Sequence, residues 1–226
     1  MMQEERKSQM LNCKVEPKTL NDYDVFCGNC RICAGKSKFD YPFEKDLRNS
    51  GDLVRELMAY ITRFTGLKCR ETRIDKNPDI NVFDDDESII CRVEAKYLEG
   101  QAFMKSKSMI GLFPKEALVV DEPKLDSYVE CKANDRNMGK NIPVFVVWKF
   151  DRPCRDVGGI TVFQEVDILG RLRRKYGRIR AYERKVATND FNDGTKLGVT
   201  KKYHFSIREC ERIEILPERI KALKGR

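Results

Sequence analysis

The sequence is poor in residues that several common kinds of active site require. Its 226 residues contain one histidine, His204, so a histidine-dependent triad or a metal site with several histidines has little to draw on. A P-loop and the glycine fingerprint of dinucleotide-binding folds are also lacking. His204 lies in the alternating segment KKYHFSI, which is typical of a packed strand, and we assign it no role.

Long apolar runs are lacking too. No stretch of eighteen apolar residues occurs and the N-terminal MMQEERKSQM is polar, so we expect no membrane partner and no secretion signal. We therefore predict a cytoplasmic protein that associates with the nucleoid when bound to DNA. The nine cysteines are odd in number, and in that compartment a disulfide framework is not expected.

Charge is abundant and unbalanced. Lysine and arginine number 44 against 36 acidic residues, which gives a formal net charge of +8. The 41% of hydrophobic residues is enough for a globular core. A basic protein of this kind suits a polyanionic partner such as nucleic acid, although a basic protein without such a partner fits the charge equally well.

Hydrophobic periodicity predicts an α/β fold with a central mixed β-sheet flanked by helices. Apolar residues at helical spacing predict a helix capped by Ser50 and ending before Gly66, with residues 36–50 as a loop before it. Strands are predicted at 67–73, 80–83, 88–97 and 142–150, and a helix at 122–139. We divide the chain into an N-terminal cysteine-rich segment (1–49), a core (50–169) and a basic C-terminal extension packed on that core (170–226).

The strand Ser88–Tyr97 gives the sharpest functional signal. Because side chains alternate along a strand, Glu94 and Lys96 share one face. Asp79 begins the preceding strand, and residues 84–87 (DDDE) form an acidic hairpin tip between the two strands. In such a hairpin Asp79 lies close to Glu94, so two carboxylates and a lysine converge.

This combination of side chains suits phosphodiester hydrolysis. Carboxylates are the ligands that Mg²⁺ prefers, and the bound ion activates a water and neutralises charge on the phosphate. A neighbouring lysine can orient that water or stabilise the transition state.

Pro78-Asp79 followed by Glu94-Ala95-Lys96 resembles the PD-(D/E)XK motif of restriction-endonuclease-like nucleases. The resemblance covers roughly residues 50–150 and implies the fold of that superfamily. It implies that Asp79, Glu94 and the Ala95 carbonyl bind Mg²⁺ and that Lys96 is the catalytic lysine. Many members add a glutamate from the first helix, for which Glu56 is the better candidate here and Glu44 the weaker.

The activity implied by the resemblance is Mg²⁺-dependent endonuclease or exonuclease cleavage of DNA, of a restriction or a repair and recombination type. Since duplex cleavage by such sites often needs two of them, a homodimer is one arrangement to expect. An E-x-K on a strand is also common as a solvated charged face, and the site would then have no catalytic role.

The same tripeptide recurs at Glu130-Cys131-Lys132. Leu125 and Tyr128 set a helical period around this copy, so we interpret it as exposed helix surface. The alternative is that it forms the site with Asp121 or Asp126.

Three cysteines, Cys27, Cys30 and Cys33, follow one another at the spacing of metal ligands. They predict a structural zinc site or a [4Fe–4S] cluster, with Cys13 or Cys69 as the fourth ligand. A loop with free thiols is the remaining alternative.

Residues 170–185 are strongly basic and contain two interleaved tyrosines, Tyr176 and Tyr182. Arginine and lysine neutralise phosphates and tyrosine stacks on unpaired bases, which predicts nucleic-acid binding. A solvated basic face is the plainer interpretation. The cations assigned to binding are Arg171, Arg173, Arg174, Lys175, Arg178 and Arg180.

The rival functions follow from the same features. In the first, the cysteine element with its zinc or iron–sulfur group and the basic segment make a non-catalytic nucleic-acid-binding protein. In the second, the chain is an iron–sulfur protein with a redox task.

Overall fold

The computed structural model describes residues 43–224 except 73, 75, 100–102, 104, 152–156, 186–190, 193–194 and 197–198. The helices are α1 (Phe43–Thr65), α2 (Ser106–Ile110), α3 (Glu122–Asn137), α4 (Val166–Tyr176) and α5 (Leu216–Lys221). The strands are β1 (Lys68–Glu71), β2 (Ile80–Phe83), β3 (Ile89–Glu99), β4 (Ala117–Asp121), β5 (Val144–Asp151), β6 (Thr161–Glu165), β7 (Ala181–Lys185), β8 (Phe191–Asn192), β9 (Thr195–Lys196), β10 (Val199–Ser206) and β11 (Glu211–Arg212). Short 3₁₀ turns cover Gly177–Arg180, Ile207–Glu209 and Ile213–Ile215.

Helix α1 begins at Phe43, directly after Pro42, so the predicted start at Ser50 was wrong. No proline lies between 43 and 65, and each residue added to an existing helix gains a backbone hydrogen bond. That gain offsets the roughly 1 kcal/mol cost of a glycine inside a helix, here Gly51. The end of the helix agrees with the prediction, because Gly66 has a φ of 76° and its N–H donates to the carbonyl of Thr62.

The central sheet has the strand order β1-β2-β3-β5-β6-β11 among the described residues. Strands β3 and β5 run parallel, from the pair Arg92–Val144 to the pair Glu99–Asp151, and their other neighbours in the sheet are antiparallel. The mixed α/β sheet flanked by helices that the sequence predicts is thus confirmed. The predicted cysteine-rich segment falls outside the described residues, apart from the first turns of α1.

The alternating side chains of the central sheet contact two apolar cores. Helices α1 and α5 pack on the face that contains Val93, Ala95 and Val147. On the opposite face, α3, α4 and a second sheet of order β4-β10-β7 pack on Leu98 and Trp148. The two faces of β3 therefore meet different helices, and Glu94 and Lys96 belong to the face covered by α3.

The C-terminal residues complete both cores. Strand β11 pairs with β6, and Leu216 and Ile220 of α5 pack in the same core as α1. The domain boundaries drawn from the sequence stay a prediction. Over the described residues, none of the helices has the length and apolar character needed to cross a membrane.

Candidate active site

The β2–β3 hairpin brings Asp79 next to Glu94. Ile80 of β2 pairs with Val93 of β3, so the residue before Ile80 lies opposite the residue after Val93. A carboxylate oxygen of Asp79 accepts a hydrogen bond of 2.8 Å from the backbone N–H of Ala95. Since one strand residue directs its N–H and C=O to the same side, the Ala95 carbonyl also lies on the side of Asp79.

The hairpin register depends on its acidic tip. The N–H of Asp84 donates to the carbonyl of Ser88 at 2.9 Å, and Glu87 has a φ of 65°, a left-handed conformation that tight turns use. The turn closes the loop at the length that the sequence predicts, and a one-residue shift of register between Val82 and Phe83 then brings Asp79 opposite Glu94 instead of Val93.

Lys96 pairs with Glu94 on the same face of β3. Its ammonium donates to the Glu94 carboxylate, and the Glu94 side chain is almost fully buried while that of Lys96 is 22% exposed. The Lys96 nitrogen also lies 6.0 Å from the centre of the Tyr128 ring. Of this ion pair, Lys96 is therefore the accessible partner and Glu94 the enclosed one.

The two carboxylates oppose each other electrostatically. Burial first, and then the negative charge of Glu94, raise the pKa of Asp79 from 3.8 to about 6, although the Ala95 N–H and the Lys96 ammonium lower it. A buried pair of like charges is costly unless a cation neutralises it. This electrostatic arrangement suits a divalent cation.

The donors fit Mg²⁺ in their chemistry. Two carboxylates and a backbone carbonyl are hard oxygen ligands, and Mg²⁺ usually takes its remaining ligands from waters and a substrate phosphate. Among the described residues, no group of three or more histidine, cysteine, aspartate or glutamate side chains could hold a metal ion. A site here would therefore rest on Asp79 and Glu94, with the Ala95 carbonyl, waters and a substrate phosphate as the further oxygen ligands.

Glu56 lies elsewhere. Its carboxylate accepts a 2.7 Å bond from Lys149 of β5, which is paired in register with Tyr97. Tyr97 belongs to the core face of α1, whereas Glu94 and Lys96 point to the face of α3. The structure therefore groups Glu56 with Lys149, and its role in catalysis stays a prediction. Nothing is described of the Glu44 side chain.

The two charged residues of the second E-x-K copy, Glu130 and Lys132, differ in their exposure. Glu130 is exposed on α3, but Lys132 is 3% exposed and donates to Glu165 at 2.7 Å and to Asp167 at 2.6 Å. The prediction of exposed helix surface was therefore wrong for Lys132, because α4 and the end of β6 pack against this side of α3. On a helix, residues two apart point in different directions, which separates Glu130 from Lys132.

The basic segment divides into paired and exposed cations. Arg173 pairs with Asp126, and lies 3.6 Å from Glu122, while buried Arg180 pairs with Glu209 at 2.6 Å. Both link α4 and the following turn to the rest of the fold. Of the six cations assigned to binding, four are exposed, and we call them the exposed basic set: Arg171, Arg174, Lys175 and Arg178. The first three lie at i, i+3 and i+4 on one face of α4.

Of the cysteines predicted to bind a metal, only Cys69 lies within the described residues. Cys13, Cys27, Cys30 and Cys33 lie outside the described residues, so the zinc or iron–sulfur site stays a prediction. Cys69, the other candidate for a fourth ligand, is half-buried on β1 with its thiol free, and burial raises its pKa. His204 is buried beside Phe103 and Tyr182, as its strand pattern predicts.

Sequence reasoning missed one member of the cluster. Tyr128 is fully buried on α3, and its pKa is raised by burial and then by the charge of Glu94. The spacing of α3 marks Tyr128 only as an apolar position. The missing information is the packing of α3 on β3, which no local pattern contains.

A helix thus precedes a hairpin that joins Asp79 to Glu94-Ala95-Lys96, and the motif strand runs parallel to the buried strand β5. The described residues therefore form a mixed α/β core in which the motif hairpin lies beside a parallel pair of strands. The order of first helix, motif hairpin, later helix and buried strand is the one that the sequence resemblance to PD-(D/E)XK nucleases led us to expect.

Two of the solved structures that are similar to this chain are nucleases by their names. The Holliday junction resolvase Hjc of Archaeoglobus fulgidus, an archaeal hyperthermophile, has 11% identity and a TM-score of 0.40, over 75% of this chain and 96% of its own. D212, a nuclease from a fusselovirus, has 12% identity and a TM-score of 0.47, over 81% of this chain and 97% of its own. No protein-family model and no curated protein matches the sequence.

Proposed function

We propose that this protein is a Mg²⁺-dependent nuclease that hydrolyses phosphodiester bonds of DNA, of a restriction or a repair and recombination type. The observation that carries the proposal is the convergence of Asp79, Glu94 and Lys96 on one face of the β2–β3 hairpin. A buried carboxylate (Glu94) beside a half-buried one (Asp79) has little value for folding, because their like charges repel and the lysine that they share is partly exposed.

Each residue has a separable task. Asp79, Glu94 and the Ala95 carbonyl would hold Mg²⁺, which supplies an activated water and positive charge for the phosphate when bound. The Ala95 N–H fixes the orientation of the Asp79 carboxylate at 2.8 Å. Lys96 can turn from Glu94 towards solvent, where its ammonium orients the attacking water and stabilises the charge that develops on the phosphate.

The exposed basic set provides the substrate contact in this proposal. Its four cations have side chains open to solvent, so they can neutralise phosphates without breaking the fold. Contacts of this kind position a strand and carry no sequence information. Arg173 and Arg180, which were predicted to bind as well, are engaged with acidic partners and have a structural task.

The second candidate is a non-catalytic DNA-binding protein. The exposed basic set supports it as much as it supports a nuclease, because both must contact phosphates. The two candidates separate in a cleavage assay on plasmid and single-stranded DNA, with Mg²⁺ or with EDTA. Wild type is compared with Glu94→Gln and Lys96→Met, which preserve side-chain size, and with Glu130→Gln as the matched control on exposed helix surface.

We expect metal-dependent cleavage by wild type and by the Glu130→Gln control. Loss of a single transition-state contact of this kind typically lowers the rate by about 10²–10³-fold, which is the expectation for Lys96→Met. Binding of DNA without cleavage by wild type would favour the second candidate. Equal cleavage by all variants would remove Glu94 and Lys96 from the site.

A further inference from the structure

The hydroxyl of Tyr128 is a further feature of the cluster that folding does not explain. The residue is fully buried on α3, and its ring packs among apolar side chains such as Leu125 and Trp148. Its hydroxyl is buried as well and has no hydrogen-bond partner of normal geometry within the described residues. The group is nevertheless close to Glu94: burial raises the pKa of Tyr128 most, and the charge of Glu94 and a contact with its carboxylate that falls short of normal hydrogen-bond geometry raise it further.

A phenylalanine would satisfy the core better. A buried hydroxyl without a partner costs about 1–3 kcal/mol, and phenylalanine fills nearly the same volume without that cost. The hydroxyl therefore lowers the stability of the structure described here. A second state, in which the hydroxyl gains a partner, would account for its presence.

Glu94 changes partners in the proposed reaction. In the structure the Glu94 carboxylate accepts from Lys96. When Lys96 turns towards the water and the phosphate, Glu94 loses that donor while it remains almost fully buried. The Tyr128 ring already lies beside the cluster, 6.0 Å from the Lys96 nitrogen, so its hydroxyl is the donor at hand for Glu94.

We propose that Tyr128 is a positioning residue: its hydroxyl donates a hydrogen bond to the Glu94 carboxylate whenever Lys96 leaves it. This inference rests on the proposed nuclease function for its catalytic purpose. The exchange of donors itself is a property of the fold. It keeps Glu94 oriented while Lys96 acts on substrate.

A double-mutant cycle in the full-length protein without metal tests the exchange independently of activity. Lys96→Met removes the competing donor, and Tyr128→Phe removes the hydroxyl. In the Lys96-containing protein, Tyr128→Phe is expected to leave Tm unchanged or to raise it, because an unpartnered hydroxyl is lost. In the Lys96→Met background the same change is expected to lower Tm by several degrees, because Glu94 then loses its only remaining donor in the cluster.

Tyr203→Phe is the matched control, since Tyr203 is a buried tyrosine in the same apolar core whose hydroxyl bonds the carbonyl of Arg173 at 3.3 Å. Its effect on Tm should be the same in both backgrounds. An equal effect of Tyr128→Phe in both backgrounds would overturn the inference, because a merely structural tyrosine does not respond to Lys96.

Cleavage kinetics give the second readout. Tyr128→Phe with Lys96 present is expected to lower the single-turnover rate roughly 10-fold at unchanged affinity for DNA, as for groups that orient a metal ligand. An unchanged rate would show that the hydroxyl does not serve catalysis. If wild type cuts no DNA, the proposed function fails, and the double-mutant cycle still decides whether the donor exchange exists.

Discussion

Asp79→Asn should stabilise the metal-free protein while it abolishes metal binding at the site. Burial and the Glu94 charge raise the pKa of Asp79 from 3.8 to about 6, so folding disfavours its charged form. Asparagine has nearly the same size and keeps an oxygen that can accept the Ala95 N–H. The substitution therefore removes the repulsion and preserves the hydrogen bond.

The size of the stabilisation by Asp79→Asn depends on pH. The pKa is higher in the folded than in the unfolded protein, so ionised Asp79 lowers stability above its unfolded value near 4. The deficit grows between about pH 4 and pH 6 and is constant above that range. A pKa raised by about two units corresponds to a loss of stability of at most about 3 kcal/mol. Because Lys96 can relax and water can enter, we expect a loss of roughly 1–3 kcal/mol.

Thermal denaturation in EDTA from pH 4 to pH 8 measures this difference. At about 2–4 °C per kcal/mol for a chain of this size, Asp79→Asn should raise Tm by roughly 2–12 °C at pH 8 and by almost nothing at pH 4. Glu130→Gln, which also removes one negative charge but from exposed surface, should show no such pH-dependent gain.

Addition of Mg²⁺ should reverse the order of the two melting temperatures, so that wild type becomes the more stable protein. A ligand that binds the folded state raises Tm, so wild type should gain stability from the ion and Asp79→Asn should not. An Asp79→Asn protein that melts at or below the temperature of wild type at pH 8 in EDTA would refute the reasoning about a buried, like-charged pair.

Three further predictions concern residues outside the carboxylate pair. Lys132→Met should lower the free energy of unfolding in urea by about 2–3 kcal/mol, because it leaves Glu165 and Asp167 without their buried partner, yet the folded variant should cleave DNA normally. Loss of cleavage with the fold intact would instead favour the second E-x-K copy. Alanine at all four positions of the exposed basic set should reduce the slope of log K for duplex DNA against log salt concentration by about 3–4. Alanine at four exposed cations elsewhere (Arg55, Arg63, Lys140 and Lys221) should leave that slope nearly unchanged. Equal slopes in both variants would contradict the assignment of the exposed basic set to DNA binding. Metal analysis of the full-length protein should find about one zinc per chain, or iron with absorbance at about 400 nm. Serine at Cys27, Cys30 and Cys33 should abolish metal binding, whereas Cys131→Ser should retain it. A wild type without metal would indicate that these cysteines are free thiols.

Some parts of this protein are local enough to be predicted from sequence. Alternation along a strand places Glu94 and Lys96 on one face, and the acidic turn makes the hairpin that brings Asp79 close to Glu94, although the exact register also needs the shift at Val82 and Phe83. The strand β5 follows from its unbroken run of β-branched and aromatic residues, which is typical of a strand with both faces buried. These features depend on neighbours within about twenty residues.

The sequence by itself therefore determined the α/β class, the hairpin and the convergence of three site residues. The tertiary structure decided the rest, because it depends on which helix covers which face of the sheet. Packing of α3 on β3 brought Tyr128 to Glu94, and α4 with the end of β6 enclosed Lys132. Packing of α1 on the other face placed Glu56 beside Lys149. Burial and pairing between distant segments are properties of three-dimensional packing, and a linear pattern of charges does not contain them.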